Sequence, residues 1–310
     1  MVLKLADLHC DTLWECYHTG IPSLRKNPLH IDLERGCRYS PWIQCFAAWM
    51  PDEHRGKAAQ KVFEGMNRLY KSFLLDNADS MQPVLSGKDL EESARRGKCA
   101  SVFAVEGGSA AGGTLEGLRH LYDEGVRMMT LTWNAANEIG GGADEPGELT
   151  PFGKEAVREM ERMGMVIDLS HASDPLFWSV AEHTEKPFVA SHSDSRAVCP
   201  HRRNLTDGEF LEICRRGGLV GLNFTKEFLR RDGEEAAPED ILRHAEHFLA
   251  LGGEDVLAMG SDFDGTVVPE GITGIESMEK LADMFLRHNY PEALVSKIFY
   301  ENTRNFFQSL

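Results

Sequence analysis

The sequence predicts an α/β protein built as one (β/α)8 barrel of the TIM type. Short apolar runs recur along the chain, and each is followed by a polar turn and a segment with helical periodicity. Because continuous apolar strands that alternate with helices form a parallel sheet covered on both faces, eight such units favour a closed barrel. The predicted strands cover residues 2–9, 42–50, 99–106, 126–133, 164–171, 187–192, 218–224 and 255–262.

An open doubly wound sheet is the main alternative fold. It usually has a glycine-rich turn after the first strand, whereas this chain has HCDTLWECYH there and no glycine before Gly20. The glycines at 140–142 follow the fourth predicted strand without a Lys-Ser/Thr pair, which indicates a loop and not a phosphate cradle. Without an internal repeat or a linker, residues 1–310 are expected to form a single barrel domain.

Helix boundaries are marked by capping residues. Thr150 followed by Pro151 is typical of a helix start, and Gly164 marks the end of the same helix. Residues 173–175, Ser-Asp-Pro, open the next helix in the same way. The longest helix is predicted over Gly56 to Leu75, with one buried stripe formed by Val62, Met66, Leu69, Tyr70 and Phe73.

Charge limits the classes of partner. The chain has 33 Lys and Arg against 49 Asp and Glu, a formal charge of −16. Such a field repels nucleic acid and anionic membrane surfaces, so neither is expected as a partner. An anionic small substrate would need a dedicated Arg or Lys at its binding site.

The cysteines and the N-terminus favour a cytoplasmic protein. The seven cysteines are odd in number, scattered and without a Cys-x-x-Cys pair, as in proteins with reduced thiols. The N-terminal MVLKLADLHC lacks the apolar core of a secretory signal, and no apolar run approaches the roughly 18 residues of a membrane span.

Ionisable residues stand at the ends of the predicted strands. The first strand ends with His9 and Asp11, and residues two apart on an extended strand point the same way. In a barrel the carboxyl ends of the strands build the active site. Further candidates at such ends are Glu106, His171, His192 and Asp262. Each alone could be a cap or a core residue, but together they would repel one another unless a divalent metal ion bound between them.

The number of candidate ligands indicates two metal ions. Three protein groups and a water complete a catalytic zinc site, so five or six groups are too many for one ion. A hydroxide between the two ions would be the nucleophile, and Asp262 would move its proton to the leaving group. Zinc is the expected metal, although such ligands also accept manganese, cobalt or iron. The expected ligands are His9 and Asp11 for one ion, His171 and His192 for the other, and Glu106 as the bridge between them.

Six segments carry a resemblance to a known family. DLHCDTL, FAVEGG, TLTWN, IDLSHAS, ASHSDSRAVCPHRRN and GSDFDG, in this order between about residues 5 and 265, resemble the signature segments of the membrane dipeptidase (renal dipeptidase) family, metallopeptidase family M19. The resemblance implies a metal-dependent hydrolase barrel with two zinc ions. It also implies hydrolysis of dipeptides, often with a D-residue on the C-terminal side.

The resemblance assigns the same metal ligands and adds substrate contacts. The family's Arg that binds the substrate's C-terminal carboxylate falls on Arg203. Trp133 stands where the mammalian enzyme has a His that polarises the scissile carbonyl, and Asn134 beside it is the candidate substitute. Thr225 replaces a Tyr near the end of the seventh strand. We therefore expect Trp133, Asn134 and Thr225 at the substrate, with oxyanion stabilisation altered.

The sequence thus predicts a dinuclear metallo-dipeptidase acting on free dipeptides. One alternative is a metal-dependent amidohydrolase for another small amide, such as a cyclic or acylated amino acid. Another is a binding or assembly protein that kept the barrel. A homo-oligomer is compatible with the sequence, and no membrane anchor is expected because no hydrophobic tail follows NFFQSL.

Overall fold

Eight parallel strands close into a barrel in the computed structural model, which describes residues 2–231 and 235–309. The pairing order is β2-β1-β9-β8-β7-β6-β5-β4, and β4 pairs back to β2. The predicted (β/α)8 barrel is therefore confirmed. The strands are β1 (Leu5–Asp7), β2 (Trp42–Trp49), β3 (Met81–Pro83), β4 (Cys99–Glu106), β5 (Val126–Thr130), β6 (Val166–Asp168), β7 (Val189–Ala190), β8 (Leu219–Leu222) and β9 (Leu257–Met259).

One short strand, β3, was not predicted. Met81 pairs with Cys99 at the start of β4, while β5 pairs with β4 only from Phe103 onward. β3 thus fills the edge position on β4 that β5 does not reach. Pro83 at its end lacks an N–H for a ladder and is typical of such an edge.

Several paired strands are shorter than the predicted apolar runs. β1 pairs over three residues of the predicted 2–9, and β7 over two residues of the predicted 187–192. The residues that follow these ladders leave the sheet and turn over the mouth of the barrel. They include the residues at which the sequence predicts a site.

Helices surround the barrel, and their predicted caps are confirmed. The Thr150 hydroxyl oxygen accepts the Gly153 N–H at 2.9 Å, and Gly164 ends that helix with a φ of 80°. The Ser173 oxygen caps the next helix by accepting the Leu176 N–H at 3.4 Å. The helices are α1 (Thr12–Thr19), α2 (Leu33–Gly36), α3 (Gly56–Asp76), α4 (Gly87–Arg96), α5 (Leu115–Asp123), α6 (Pro151–Met163), α7 (Asp174–His183), α8 (Asp207–Arg216), α9 (Lys226–Leu229), α10 (Pro238–Ala250), α11 (Met278–Arg287), α12 (Glu292–Ser296) and α13 (Asn302–Phe307), with a π-helical segment Lys297–Glu301 before α13.

Alternation along β4 separates two apolar clusters. Phe103 belongs to the larger one and stacks on Tyr70 of α3, with ring centroids 4.2 Å apart. The small residues Ala100, Val102 and Ala104 belong to the second cluster. Because alternate residues of a strand share a face, Glu106 continues the face of these small residues.

The helices of the described ranges, 2–231 and 235–309, include none with the length and apolar character needed to cross a lipid bilayer.

Candidate active site

The six ionisable residues predicted at the strand ends lie together at the mouth of the barrel. All are at least nine-tenths buried. Three of them surround the Glu106 carboxylate: its Oε2 lies 3.4 Å from His9 Nε2, and its Oε1 lies 2.8 Å from His171 Nε2 and 3.5 Å from His192 Nε2. Each oxygen of Glu106 is therefore close to at least one histidine nitrogen.

The remaining members complete two overlapping groups of ligand atoms. The His9 Nε2 atom lies 3.4 Å from Asp11 Oδ2. Atoms of His9, Asp11 and Asp262 lie within 4.8 Å of one another, as do atoms of His9, Glu106 and His192. The Nε2 atoms of His171 and His192 are only 3.0 Å apart, which places two imidazole nitrogens around one small volume.

The local backbone differs from the extended strand ends that the sequence suggested. The β1 ladder ends at Asp7, and Asp11 occupies the N-cap of α1 with φ −98° and ψ 14°. A turn therefore brings His9 and Asp11 together. His171 and Asp262 adopt left-handed conformations with φ of 67° and 58°. For residues other than glycine such conformations are uncommon, cost on the order of 1 kcal/mol or more, and cluster at functional sites.

Hydrogen bonds behind two histidines fix their tautomers. The Nδ1–H of His171 donates to Asn134 Oδ1 at 2.8 Å, because an amide oxygen can only accept. The Nδ1 of His192 lies 2.8 Å from Ser191 Oγ, which itself donates to Asp168 Oδ2 at 2.6 Å. In both rings the Nε2 lone pair is left facing the cluster.

Asp262 is held by two neighbours from the loop after β8. The Asn223 amide and the Thr225 hydroxyl both donate to Asp262 Oδ2, at 3.1 Å and 3.2 Å. Thr225 and Asn134 both line the cavity as expected for substrate contacts, and each also orients a member of the cluster.

Without a bound cation, the charges of the buried carboxylates and imidazoles in this cluster are unfavourable. Burial and the Glu106 carboxylate raise the pKa of Asp11 to about 8, and burial also raises the pKa of Asp262. Burial opposes the charge on His9, yet Glu106 and Asp11 raise its pKa well above the usual value. Burial, together with the Arg203 guanidinium, lowers the pKa of His171 to about 4. A divalent cation among them would favour the ionised form of both carboxylates and the neutral form of His9, and the neutral His171 is already in the form that binds a metal ion.

The donor set fits divalent metal ions. Asp11 Oδ1 is buried and has no hydrogen-bond partner among the described residues. A Cβ on Gly265 would lie 2.1 Å from Asp11 Oδ2 and 2.6 Å from Asp262 Oδ1, so the chain keeps the space beside both carboxylates free of side chains. Imidazole and carboxylate ligands suit zinc and the neighbouring transition metals.

A cavity of about 320 Å³ opens above the cluster. Arg203 lines it although its side chain is only 6% exposed, and its Nε is buried without a partner among the described residues. Its guanidinium lies 5.3 Å from the centroid of the Phe228 ring. Arg202, in contrast, is largely exposed and pairs with Asp144 at 2.6 Å. Arg203 is thus a buried cation and not part of a solvated basic turn.

Sequence reasoning missed several residues of this site. Trp14 and Trp49 line the cavity beside the predicted Trp133. Trp49 pairs with Glu106 across β2 and β4, so the rule applied to the other strand ends would have found it. No sequence pattern pointed to Asp168 and Ser191, because only the folded structure shows that they are hydrogen-bonded in series to His192 Nδ1.

A parallel barrel with histidines and carboxylates at the carboxyl ends of its strands defines a metal-dependent hydrolase. Residues 2–309 match the membrane dipeptidase family, peptidase family M19, and the chain belongs to that family. It is accordingly an enzyme of the metallo-dipeptidase class, which excludes a mere binding or assembly protein.

Two solved structures support this placement, and a third protein is similar in sequence. A metallopeptidase from Rhodobacter sphaeroides, solved with a phosphinate mimic of the dipeptide L-Ala-D-Ala, superposes with a TM-score of 0.94 at 27% identity, covering 100% of this chain and 99% of its own. A structure of dipeptidase AC, of family M19, has the same TM-score and coverage at 28% identity. An uncharacterised protein from the pqqA 5′ region of Klebsiella pneumoniae is 32% identical over 245 residues, 76% of this chain and 90% of that protein.

Proposed function

We propose that the protein hydrolyses the single peptide bond of free dipeptides with two divalent metal ions, expected to be zinc. One observation supports the dinuclear part: the Glu106 oxygen nearest to His9 Nε2 is Oε2, whereas the oxygen nearest to the Nε2 atoms of His171 and His192 is Oε1. A carboxylate in that position suits a bridge between two ions about 3.5–4 Å apart.

The ligand roles follow from this arrangement. His9 and Asp11 would hold one ion, His171 and His192 the other, and Glu106 both. When bound, the two ions supply activation of the attacking water and polarisation of the scissile carbonyl. Asn134 and Ser191 keep the Nε2 atoms of their histidines turned toward the ions.

Asp262 is the proposed proton carrier. Its carboxylate lies within 4.8 Å of His9 and Asp11 ligand atoms, and burial raises its pKa, which favours proton uptake. It would accept the proton of the attacking water and pass it to the departing amine. Asn223 and Thr225 hold Oδ2, so the carboxylate keeps one orientation through both transfers.

Arg203 is the proposed anchor for the substrate's C-terminal carboxylate. The buried guanidinium has an Nε–H with no hydrogen-bond partner in residues 2–231 and 235–309, and a substrate carboxylate would supply one. In a chain of net charge −16 it also provides the local cation that an anionic ligand needs. The L-Ala-D-Ala mimic bound by the Rhodobacter sphaeroides relative supports a C-terminal D-residue as an accepted substrate.

The test is a panel of L-Xaa-L-Xaa and L-Xaa-D-Xaa dipeptides incubated with zinc-loaded protein and with a chelated control. Metal-dependent cleavage is expected for members of both stereochemical sets. The variant Glu106→Gln, measured for zinc content alongside, should bind fewer than two ions per chain. Failure to cleave any dipeptide with both ions bound would contradict the proposal.

A second candidate is hydrolysis of another small amide, such as a cyclic or acylated amino acid. Trp133 and Thr225, which replace a His and a Tyr of the family, motivate it because both line the cavity. Comparing a dipeptide with its C-terminal amide separates the two: a carboxylate-binding Arg203 strongly disfavours the amide, whereas an enzyme for other amides cleaves both alike.

A further inference from the structure

We propose that three tryptophans make the enzyme selective for dipeptides whose N-terminal residue has an aromatic or large apolar side chain. This inference rests on the proposed dipeptidase function and names the substrate class of the same site. The group, here called the tryptophan wall, consists of Trp14, Trp49 and Trp133, all half-buried and all lining the cavity.

The wall is a continuous set of rings that hold one another in place. The Trp14 and Trp49 centroids are 4.8 Å apart with an interplanar angle of 90°, and those of Trp49 and Trp133 are 4.9 Å apart at 74°. At its outer end Trp14 stacks on His18 at 5.4 Å and 14°. At its inner end Trp133 lies 6.2 Å from the His171 ring. Edge-to-face pairs of this kind fix ring planes, so the wall is a rigid apolar surface that reaches the metal ligands.

The barrel order places the central member of this wall, Trp49, opposite the carboxylate anchor. Trp14 follows β1, Trp49 ends β2, and Trp133 follows β5. Arg203 lies in the loop after β7. β2 and β7 are four strands apart in either direction around the eight-stranded barrel. Trp49, at the centre of the tryptophan wall, therefore stands across the mouth from Arg203, while Trp14 and Trp133 follow strands that are three and two places from β7.

A bound dipeptide has one direction relative to Arg203, the ligand cluster and the tryptophan wall. Its C-terminal carboxylate binds Arg203, and its peptide bond lies over the ligand cluster. Its N-terminal residue is then directed to the tryptophan wall. An aromatic or branched apolar side chain buries area against rigid rings there, while glycine buries none. Glu15, which lines the cavity beside Trp14, further disfavours an anionic side chain.

The experiment compares kcat/KM of the zinc-loaded enzyme on Phe-Ala, Leu-Ala, Gly-Ala and Asp-Ala. Phe-Ala and Leu-Ala are expected to exceed Gly-Ala by roughly ten-fold or more, with Asp-Ala lowest. In Trp49→Ala and Trp133→Ala the ratio of Phe-Ala to Gly-Ala should fall toward one, while Trp49→Phe keeps most of it. Trp178→Ala is the matched control, since Trp178 is 43% exposed on α7 and outside the cavity lining, and its ratio should equal that of the wild type.

The outcomes separate this inference from the proposed function. Wild-type cleavage of Gly-Ala as fast as Phe-Ala would overturn the selectivity of the tryptophan wall and leave the dipeptidase assignment intact. A ratio of kcat/KM on Phe-Ala to kcat/KM on Gly-Ala that stays unchanged in Trp49→Ala and Trp133→Ala would also overturn the selectivity and leave the dipeptidase assignment intact. Absence of metal-dependent cleavage of every dipeptide would overturn both. The wild-type comparison needs no variant to fold, so the inference is tested even if Trp49→Ala is unstable.

Discussion

The Ser191 hydroxyl connects a buried carboxylate to His192, a proposed metal ligand. It donates to Asp168 Oδ2 and accepts from His192 Nδ1, and all three residues are inaccessible to solvent. The negative charge of Asp168 thereby reaches His192 through one hydroxyl and makes its Nε2 a better donor to a cation. Ser191 acts through His192 and is a positioning residue.

Ser191→Ala should weaken metal binding on the His171 and His192 side by roughly 10- to 100-fold, because His192 loses the group that fixes its tautomer. Zinc titration of the metal-free variant, read as the affinities of the two binding steps, measures this. Ser195→Ala is the control: its hydroxyl is buried in the same loop without a hydrogen-bond partner among the described residues. Equal weakening in both variants would indicate a general packing effect.

Asp262→Asn should retain both metal ions and lose turnover by roughly 10²-fold or more, because an amide cannot carry the proton between water and amine. The measurement pairs kcat with metal content determined on the same sample. Asp255→Asn, a change at an 81% exposed carboxylate beside Lys297, should leave both unchanged. Full activity in Asp262→Asn would show that another group moves the proton.

Residue types and their order predicted which ionisable residues lie together at the barrel mouth, but not the groups that support them. His9, Glu106 and His192 were predictable because ionisable groups at apolar strand ends are costly and therefore conspicuous. The partner of a histidine's second nitrogen depends on loop geometry, so Asn134 was expected at the substrate while the structure also places it on His171. Asp168 lies inside the apolar run 164–171 predicted as a strand, so it was not among the ionisable residues found at the predicted strand ends.

At the scale of elements, capping residues were the most predictable features and strand lengths the least. Thr150 and Gly164 set the bounds of α6 through local backbone chemistry that a short sequence window contains. The length of a β-ladder depends on where neighbouring strands diverge around the barrel. A short window of sequence contains no information about that divergence. β3 escaped prediction because three residues ending in Pro83 have no period to detect.

Gly164→Ala should lower the free energy of unfolding by about 1 kcal/mol, because a φ of 80° is costly for a residue with a Cβ. The cost is conformational, since no heavy atom of the described part of the chain lies within 4 Å of the added Cβ. Gly208→Ala in α8 is the matched change with no left-handed φ and a nearest contact of 3.6 Å, and we expect it to stabilise by roughly 0.5 kcal/mol. Urea unfolding of both variants measures the difference. Equal effects would mean that the Gly164 conformation carries no strain.

At the scale of the whole molecule, the cluster joins distant parts of the chain. Its members stand at or just after the ends of β1, β4, β6, β7 and β9. The unfavourable interactions among them therefore lower the free energy of unfolding of the whole barrel and not of one local segment. Ions that bind only the folded barrel stabilise it by mass action.

Removal of the metal should therefore lower the melting temperature by at least about 5 °C, as expected when a ligand present at a hundred-fold excess over its Kd is withdrawn. Scanning calorimetry of zinc-loaded and chelator-dialysed protein tests this. In Glu106→Gln the difference in melting temperature between the zinc-loaded and the chelator-dialysed protein should be smaller, because the proposed bridging ligand is lost. Identical melting temperatures of the two wild-type forms would argue that the cluster binds no metal in the folded protein.

The distribution of the ligands along the chain also bears on how the enzyme is made. His9 is synthesised early and Asp262 only after nearly the whole barrel, yet their carboxylate and imidazole atoms belong to one cluster. A nascent chain on the ribosome thus holds an incomplete set of ligands for most of its synthesis. Under the proposed function, metal loading is therefore a late step in biogenesis, because the ligand set is complete only when the barrel has closed.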